Sequence, residues 1–476
     1  MTLTEEDVRA VYAQGEAAVV ALVMELGQQV GALAQEVKAL KERLGKNSRN
    51  SNRPPSSDGL GRRTVSSRER SGRRTGGQPG HEGNTLRMVA RPDRVEEHAP
   101  EVCPVCETPL AGALGQVAER RQVFELPAKL YEVIEHQVLG GVCPRCQTPV
   151  RGAFPERVEQ PVQYGERLKG LMVYLQGYQL LPYERTAALF EDVLGIGLSE
   201  GTLDRARQAC ATGLATVEAA IKAAISQAEV VGFDETGVRV AGKTEWLHTA
   251  STPDLTYYQV HPKRGSDAMD EIGILGAFRG TAVHDGLSAY WQYGCRHALC
   301  NAHHLRELKA IAEKGGQAWA VEMRGLLCEI KQAVEAAKAR GVSALSAHQV
   351  RRFTKRYDDL IVKGRRANPI PLQIPKRGRL KRPRVNNLLN HLAQHRDEVL
   401  LFMHDFRVPF DNNHSERDLR MMKVKQKVSG CFRAAQGAAD FCRIRGYIST
   451  LRKQGLPVID ALQAVFAGQP TIPALG

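Results

Sequence analysis

Three acidic residues stand in contexts that suit metal-dependent chemistry. Asp234 lies in VVGFDETGVRV and Asp285 lies in TAVHDGLSAYW, each after a β-branched run that predicts a strand. Glu416 lies in DNNHSERDLRMMKVK, where a basic helix is predicted to begin. Such carboxylates can hold two Mg²⁺ ions about 4 Å apart, because Mg²⁺ prefers oxygen ligands. The three residues therefore predict a catalytic site for phosphodiester chemistry.

Each of the three residues also has a purely structural interpretation. Asp234 could shape the Asp-Glu-Thr-Gly turn, and Asp285 could open an Asp-Gly turn after its strand. Glu416 follows Asn413 by three residues, which is the spacing of a capping box. Taken together at the ends of predicted elements, where sites are usually built, they favour the catalytic interpretation.

Two Cys-x-x-Cys pairs predict a structural metal site. Cys103 and Cys106 form the first pair, Cys143 and Cys146 form the second, and the segment between them alternates like two strands. Four thiolates suit a tetrahedral Zn²⁺ ion, and paired cysteines without a secretory signal indicate a reducing compartment. A dithiol redox site is the alternative. We predict one structural Zn²⁺ in a zinc-ribbon-like module.

A Cys-x-x-His element follows Asp285 along the chain. Cys300 and His303 form this element, and Cys295 and His304 lie close to it in the sequence. We interpret Cys300 and His303 as support for the active-site wall, because a zinc site normally needs four ligands. Whether these four residues bind a second zinc ion is left open.

Positive charge predicts DNA as the partner. The formal net charge is +14, and the cations cluster in residues 45–80 and 351–384. Arg420 shares a helical face with Glu416, so it either supports the active site by holding phosphate or pairs with Glu416 itself. The residues expected to contact DNA are Arg62, Arg63, Arg73, Arg74, Arg205, Arg207, Lys376, Arg377, Arg379, Lys381, Arg382, Lys423, Lys425 and Lys427.

The N-terminal segment predicts self-association. Residues 19–44 carry apolar side chains at both core positions of a heptad repeat, with valine and leucine favouring a parallel two-stranded coiled coil. The alternative is an amphipathic helix packed on its own domain. The a positions are Val23, Val30, Val37 and Leu44, and the d positions are Val19, Leu26, Leu33 and Leu40.

The remaining patterns define the modules that position these residues. Residues 46–84 have almost no apolar side chains and predict a flexible basic linker. Residues 186–209 have helix-turn-helix spacing, although a structural helical hairpin fits equally well. From residue 229 the pattern is three strands, a helix and a further strand, which matches the opening of a ribonuclease-H-like domain.

We therefore predict an α/β multidomain protein. Its divisions are 1–44 coiled-coil (leucine-zipper-like) helix, 45–100 basic flexible linker, 101–160 zinc-binding module, 161–228 helical DNA-binding domain, 229–315 with 409–450 ribonuclease-H-like catalytic core, 316–408 all-helical insertion and 451–476 C-terminal region. The N-terminus lacks an apolar signal region, so we expect a cytoplasmic, nucleoid-associated protein with no membrane partner.

The combination of motifs resembles the DDE transposases of the insertion-sequence-66 family. The resemblance covers nearly the whole chain and is carried by KNSRNSNRPPSSDG, GGQPGHEG, CPVC, CPRC, FELPAK, GFDET, HDG, NNHSERDLR and SGCFR. It implies a leucine-zipper-like N-terminus, a zinc module, a ribonuclease-H-like core and an acidic triad at Asp234, Asp285 and Glu416. It also implies that accessory proteins of the same element assist.

The expected function is that of a transposase. The protein would bind the inverted-repeat ends of its own element as a homodimer or higher oligomer and use two Mg²⁺ ions for DNA cleavage and strand transfer. Two rivals stay open: a non-transposing DNA-binding regulator, such as a decayed transposase, and a metal-dependent nuclease or resolvase on the same core.

Overall fold

The structure is a computed structural model that describes residues 5–44, 86–110, 117–127, 129–369 and 383–476. Two compact units are distinguished. The larger unit comprises the described residues of 1–67, 164–188 and 198–476, and the smaller unit comprises those of 68–163 and 189–197.

Two helices open the larger unit. Helix α1 is Glu5–Tyr12 and helix α2 is Glu16–Leu44, with Gly15 at a φ of 99° between them. Glycine adopts this left-handed conformation without the steric cost that other residues pay. Helix α2 keeps Val23, Val30 and other apolar residues exposed. The predicted helix is confirmed, and its predicted self-association stays a prediction.

The smaller unit contains two cysteine-bearing turns and one short hairpin. Strand β1, Gly140–Val142, pairs antiparallel with strand β2, Pro149–Arg151, on either side of the second turn. The two strands predicted between the cysteine pairs are not formed in 117–127 or 129–139, so that prediction is wrong. Val123 and Leu126 of this segment are exposed, because its alternating pattern has no sheet to pack on.

Four helices follow in the region predicted to be helical. They are α3 Glu166–Gly177, α4 Tyr183–Leu194, α5 Glu200–Gly213 and α6 Ala215–Gln227. Ser199 caps α5, since its Oγ accepts a hydrogen bond from the Thr202 amide at 3.1 Å. No single helix in the described ranges is long and apolar enough to span a membrane, while the bent pair of α5 and α6 passes that length and composition test.

A mixed five-stranded sheet forms the centre of the larger unit. Its strands are β3 Val230–Val240, β4 Lys243–Ser251, β5 Thr256–His261, β6 Thr281–His284 and β7 Arg296–Leu299. The order across the sheet is β5-β4-β3-β6-β7. Strands β3, β4 and β5 form an antiparallel meander, and β6 and β7 continue the sheet in parallel pairing.

Helices connect and cover this sheet. Those between β5 and β6 are α7 Ser266–Ile272 and α8 Ile274–Ala277; those after β7 are α9 Asn301–Gly315, α10 Ala318–Ala339, α11 Ala347–Ala367, α12 Arg384–Gln394 and α13 Arg396–His404; the last are α14 Asn413–Val428, α15 Ala435–Lys453 and α16 Val458–Phe466. Helices α10 to α13 bury Trp319, Tyr357 and Leu392 in one apolar core. The predicted helical character of 316–408 is confirmed in the described residues.

Candidate active site

Asp234 lies in the middle of the central strand. It is half-buried on β3, opposite Thr249 of β4, and its Oδ1 accepts a hydrogen bond from the Glu235 amide at 2.9 Å. Burial and then the negative charges of Glu235, Asp285 and Glu416 raise the pKa of Asp234 well above its usual value. The neighbouring carboxylates therefore act on Asp234 directly, and a bound cation would relieve their repulsion.

The parallel pairing of two strands places Asp285 beside Asp234. Gly232 of β3 pairs with Val283 of β6. Two residues further along the chain from this pair lie Asp234, in β3, and Asp285, just after β6. Asp285 follows the last residue of β6, and its Oδ1 accepts a hydrogen bond from the Leu287 amide at 2.9 Å. The sheet topology thus brings two of the predicted residues to one edge.

Glu416 reaches the same region from the first turn of α14. Its Oε1 accepts hydrogen bonds from His303 Nε2 at 3.2 Å and from Arg306 Nη2 at 3.0 Å. Burial raises the pKa of Glu416, but the His303 hydrogen bond and the Arg306 charge outweigh it, so the net pKa is lowered. Glu416 is therefore held ionised, as a metal ligand must be.

Close packing on Gly232 fixes α14 against the sheet. A Cβ at Gly232 would lie 2.2 Å from Asn412 Oδ1 and 2.4 Å from Ser415 Oγ. Asn412 Nδ2 donates to the Phe233 carbonyl at 2.8 Å, and the Asn412 amide donates to Cys300 Sγ at 3.1 Å. Because alternate strand residues share a face, Gly232 and Asp234 face the start of α14 together.

A buried carboxylate beside Asp234 was not singled out by the sequence. Glu235 is buried, and its Oε1 accepts from Arg264 Nε at 2.9 Å and from Arg264 Nη2 at 2.8 Å. Its Oε2 accepts from the Tyr290 hydroxyl at 2.7 Å. Arg264 Nη2 also lies 3.9 Å from Asp285 Oδ2, so one guanidinium links the two carboxylates. The Asp-Glu dipeptide was the only sequence signal for this residue.

Two histidines hold the loop that carries Asp285. The Gly286 amide donates to His284 Nδ1 at 3.0 Å, so His284 Nε2–H donates to His297 Nδ1 at 3.1 Å. His297 Nε2–H then donates to the Tyr293 carbonyl at 3.0 Å. Burial lowers the pKa of His284 to about 3, in keeping with its neutral role in this chain. This series of hydrogen bonds fixes the tautomers of both histidine rings and the conformation of the loop that carries Asp285.

Comparison with known protein families shows which family the chain belongs to. Residues 161–440 match the Transposase IS66 family. The chain belongs to this transposase family. Residues 4–87 match a second family, DUF6444, whose function is unknown, and no curated protein matches the chain.

The matched part of the transposase contains all three acidic residues. It also contains Cys300, His303 and the missed residues Glu235 and Arg306, whereas both Cys-x-x-Cys pairs lie outside it. The family establishes transposition as the general activity. The individual roles of these side chains are taken up as a proposal below.

Several predicted DNA contacts of the transposase have other partners. Arg207 Nη2 pairs with Asp204 Oδ1 at 2.7 Å, and its Nη1 pairs with buried Asp440. Lys425 is buried, with its Nζ 4.0 Å from the ring centroid of Phe432, and burial lowers its pKa to about 8. Both predictions are corrected here, since side chains engaged within the fold are poorly placed to bind phosphate.

Other predicted contacts keep an accessible position. Arg205, Arg420 and Lys427 are exposed, and half-buried Lys423 donates to the Gly237 carbonyl at 3.0 Å. Arg420 does not pair with Glu416, which among the described residues forms an ion pair with Arg306 and a hydrogen bond with His303. The predictions at Arg62, Arg63, Arg73, Arg74, Lys376, Arg377, Arg379, Lys381 and Arg382 lie outside the described residues.

Removing Arg207 is expected to destabilise the transposase by about 3 kcal/mol, because buried Asp440 would lose its cationic partner. Arg205→Ala on the same helix is the matched control and should change the free energy of unfolding by less than about 0.5 kcal/mol. Urea unfolding of the two variants measures both values. Equal stability of Arg207→Ala and wild type would contradict the assigned ion pair.

The four cysteines predicted to bind zinc form two turns of the same construction. The Cys103 amide donates to the Thr108 carbonyl and the Cys143 amide to the Thr148 carbonyl, each at 2.9 Å. The Thr148 hydroxyl is the main cause that lowers the pKa of Cys146 to about 7, which favours the thiolate. Their four sulfur atoms do not gather within 4.8 Å of one another, so zinc binding here stays a prediction.

Acidification is expected to weaken the fold. Burial lowers the pKa of His248 to about 4 and of His391 to about 4, below the 6.5 of a free histidine. Between pH 4 and pH 6.5 these two histidines bind more protons in the unfolded chain than in the folded chain. The free energy of unfolding therefore falls as the pH drops from about 6.5 to 4.

The His248→Gln variant tests this pH dependence, because glutamine retains a donor for the Lys263 carbonyl but does not titrate. Its unfolding free energy, measured by urea titration across that pH range, should vary less steeply than that of wild type. His348→Gln, at an exposed position on α11, is the control and should keep the wild-type slope. Parallel slopes for His248→Gln and wild type would refute the prediction.

Proposed function

We propose that this transposase cuts and joins DNA at a site built from Asp234, Asp285 and Glu416. The observation that supports the proposal is the parallel pairing of Gly232 in β3 with Val283 in β6, two residues before Asp234 and Asp285, together with the packing of α14 on Gly232. The sheet order β5-β4-β3-β6-β7, an antiparallel meander continued in parallel, supports a ribonuclease-H-like core.

The donor set fits magnesium. Three oxygen-bearing side chains, from β3, from the loop after β6 and from α14, suit a hard cation. The pKa of Asp234 is raised first by burial and then by repulsion from neighbouring carboxylates, and a cation would offset that repulsion. Two Mg²⁺ ions bound there would supply charge stabilisation for the attacking and leaving oxygens. Asp234, Asp285 and Glu416 would hold these ions, and His303 with Arg306 would keep Glu416 ionised and oriented.

The proposed reaction has two steps. In the first, a water oxygen bonds to the phosphorus at each element end, and the 3′-oxygen leaves and takes a proton. In the second, that 3′-hydroxyl loses its proton and attacks a target phosphate, releasing a target 3′-hydroxyl. The number of phosphodiester bonds is unchanged in the second step, so no energy-rich cofactor is needed.

The other modules are proposed to bring DNA to this site. We assign end recognition to the basic linker 45–100, the zinc-binding module 101–160 and the helical domain 161–228. Arg205 on α5 is exposed and accessible to phosphate. One structural Zn²⁺ would be held by Cys103, Cys106, Cys143 and Cys146, and accessory proteins of the same element would assist assembly.

The deciding experiment is joining of pre-cut element ends to plasmid DNA by the full-length chain. Joining should require Mg²⁺, and leaving Mg²⁺ out of the buffer should abolish it while binding to end DNA persists. Cleavage without joining would favour a nuclease or resolvase. Binding without cleavage or joining would favour a DNA-binding regulator.

Helix α2 is proposed to pair two transposase chains, because the heptad core residues Val23, Leu26, Val30, Leu33 and Val37 are exposed in the single chain. Val30 at an a position is 64 % exposed. The Val30→Asp variant is expected to shift the protein from dimer to monomer, since a charge at a coiled-coil core position is costly. Light scattering coupled to size exclusion measures this, with Gln28→Asp at an outward f position as control. A dimer that survives Val30→Asp would overturn the assignment.

A further inference from the structure

Cys300, His303 and Glu416 form a compact group of three metal-binding side chains. One ligand atom from each lies within 4.8 Å of the other two, and no other group of histidine, cysteine and acidic residues in the described part of the chain does so. Cys300 immediately precedes α9, and His303 lies in the first turn of α9. Glu416 lies in the first turn of α14. Two rigid helix starts therefore present the three donors.

The chemistry of this donor set differs from that of the magnesium site. A thiolate and an imidazole favour borderline and soft cations such as Zn²⁺ over Mg²⁺. Three protein ligands with one open position is also a common arrangement for zinc in proteins. The group therefore distinguishes between two kinds of divalent cation, although it shares Glu416 with the proposed catalytic triad.

A buried atom without a partner supports coordination at this place. His303 Nδ1 is buried and lacks a hydrogen-bond partner among the described residues. Such atoms are rare because leaving them unsatisfied costs free energy. A bound cation would give the His303 ring a partner that it otherwise lacks.

Arg306 is the competing cation in this group. Its Nη2 donates to Glu416 Oε1 at 3.0 Å, and its Nε donates separately to the Ala302 carbonyl at 3.2 Å. A cation bound to Glu416 would displace the first hydrogen bond but leave the second in place. Arg306 would still be held by its hydrogen bond to the Ala302 carbonyl. Binding of the metal therefore does not require α9 to move.

We propose that Cys300, His303 and Glu416 form an inhibitory site for a borderline-soft divalent cation such as Zn²⁺. A cation held there draws charge from Glu416 and removes it from the set of residues that bind Mg²⁺. Inhibition rests on the proposed function, because it requires Glu416 to act with Asp234 and Asp285. Binding of the cation does not rest on it.

Cobalt binding tests the site independently of activity. The full-length protein carrying one equivalent of Zn²⁺, enough for the four-cysteine module alone, is titrated with Co²⁺, and the sulfur-to-cobalt charge-transfer absorption is recorded. Wild type should bind one further equivalent through a thiolate, and Cys300→Ser should lose that absorption. Serine still accepts the hydrogen bond from the Asn412 amide, so the fold should be kept. Cys295→Ser, at another buried cysteine, is the matched control and should behave as wild type.

Inhibition is measured as strand transfer in Mg²⁺ with increasing Zn²⁺, each variant relative to its own rate without zinc. Cys300→Ser and His303→Gln should need at least about 100-fold more Zn²⁺ for half inhibition, given how strongly metal affinity depends on ligands and their partners. Identical cobalt spectra for wild type and Cys300→Ser would overturn the site. A normal cobalt band in a protein that never joins DNA would leave the site standing and reject the proposed function.

Discussion

Strand transfer by the Asp234→Asn variant is expected to fall by at least about 10³-fold, while binding to element-end DNA stays within about twofold of wild type. Asparagine keeps the size and the hydrogen-bond acceptor but removes the negative charge that would hold a cation. Loss of about 4 kcal/mol of transition-state stabilisation corresponds to this factor. The measurement is joining of pre-cut ends to plasmid DNA in Mg²⁺, with binding followed separately.

The matched control for this prediction is Asp254→Asn. Asp254 is exposed in the turn between β4 and β5. Its substitution should leave joining unchanged. Joining by Asp234→Asn at a rate close to that of the control would remove Asp234 from the mechanism, whatever the effect on DNA binding.

Gly232→Ala is expected to reduce joining by at least about 100-fold although it changes no ionisable group. The new Cβ would lie 2.2 Å from Asn412 Oδ1 and 2.4 Å from Ser415 Oγ, so these two side chains at the start of α14 must move, and we expect the first turn of α14 to move with them. Glu416 sits in that first turn, and a displacement of about 1 Å in a reacting group can cost 10²-fold. The same overpacking should lower the free energy of unfolding by about 1–3 kcal/mol.

Gly237→Ala separates displacement of α14 from a general effect of alanine in the strand. Gly237 lies on the same β3, but its Cβ would meet only Thr244 Cγ2 at 4.0 Å. This variant should retain most joining activity. If Gly232→Ala joined DNA as well as Gly237→Ala does, the close packing of α14 would have no part in placing Glu416.

The sequence predicted the elements that carry the site because their signals are local. The strand-like runs before Asp234 and Asp285 and the helix beginning near Glu416 follow from residue type and spacing, and all three form. Asp234, however, lies inside β3 and not at the end of an element, because β3 continues to Val240. Whether Asp234, Asp285 and Glu416 come together depends on contacts between residues far apart in the sequence. It depends on the register between β3 and β6 and on the missing side chain at Gly232, neither of which has a signal in a single sequence.

Two cations predicted to contact DNA have partners within the fold that the charge pattern does not reveal. Arg207 was expected to face DNA, yet its partner Asp440 lies 233 residues further along the chain. The sequence pattern predicts that Lys425 is part of a basic helical face, whereas in the structure it packs against Phe432 and Phe441. Charge pattern reports which residues are basic, whereas tertiary packing decides which of them face solvent.

The five helices between β7 and α14 have a consequence for incomplete chains. A polypeptide ending anywhere within α9 to α13 contains the entire five-stranded sheet and both aspartates, yet lacks the Glu416 segment that closes the site. If the N-terminal modules bind the element ends as proposed, such a product would occupy those ends without processing them. Premature termination or proteolysis in this region would therefore convert the enzyme into a dominant-negative competitor of its own intact form.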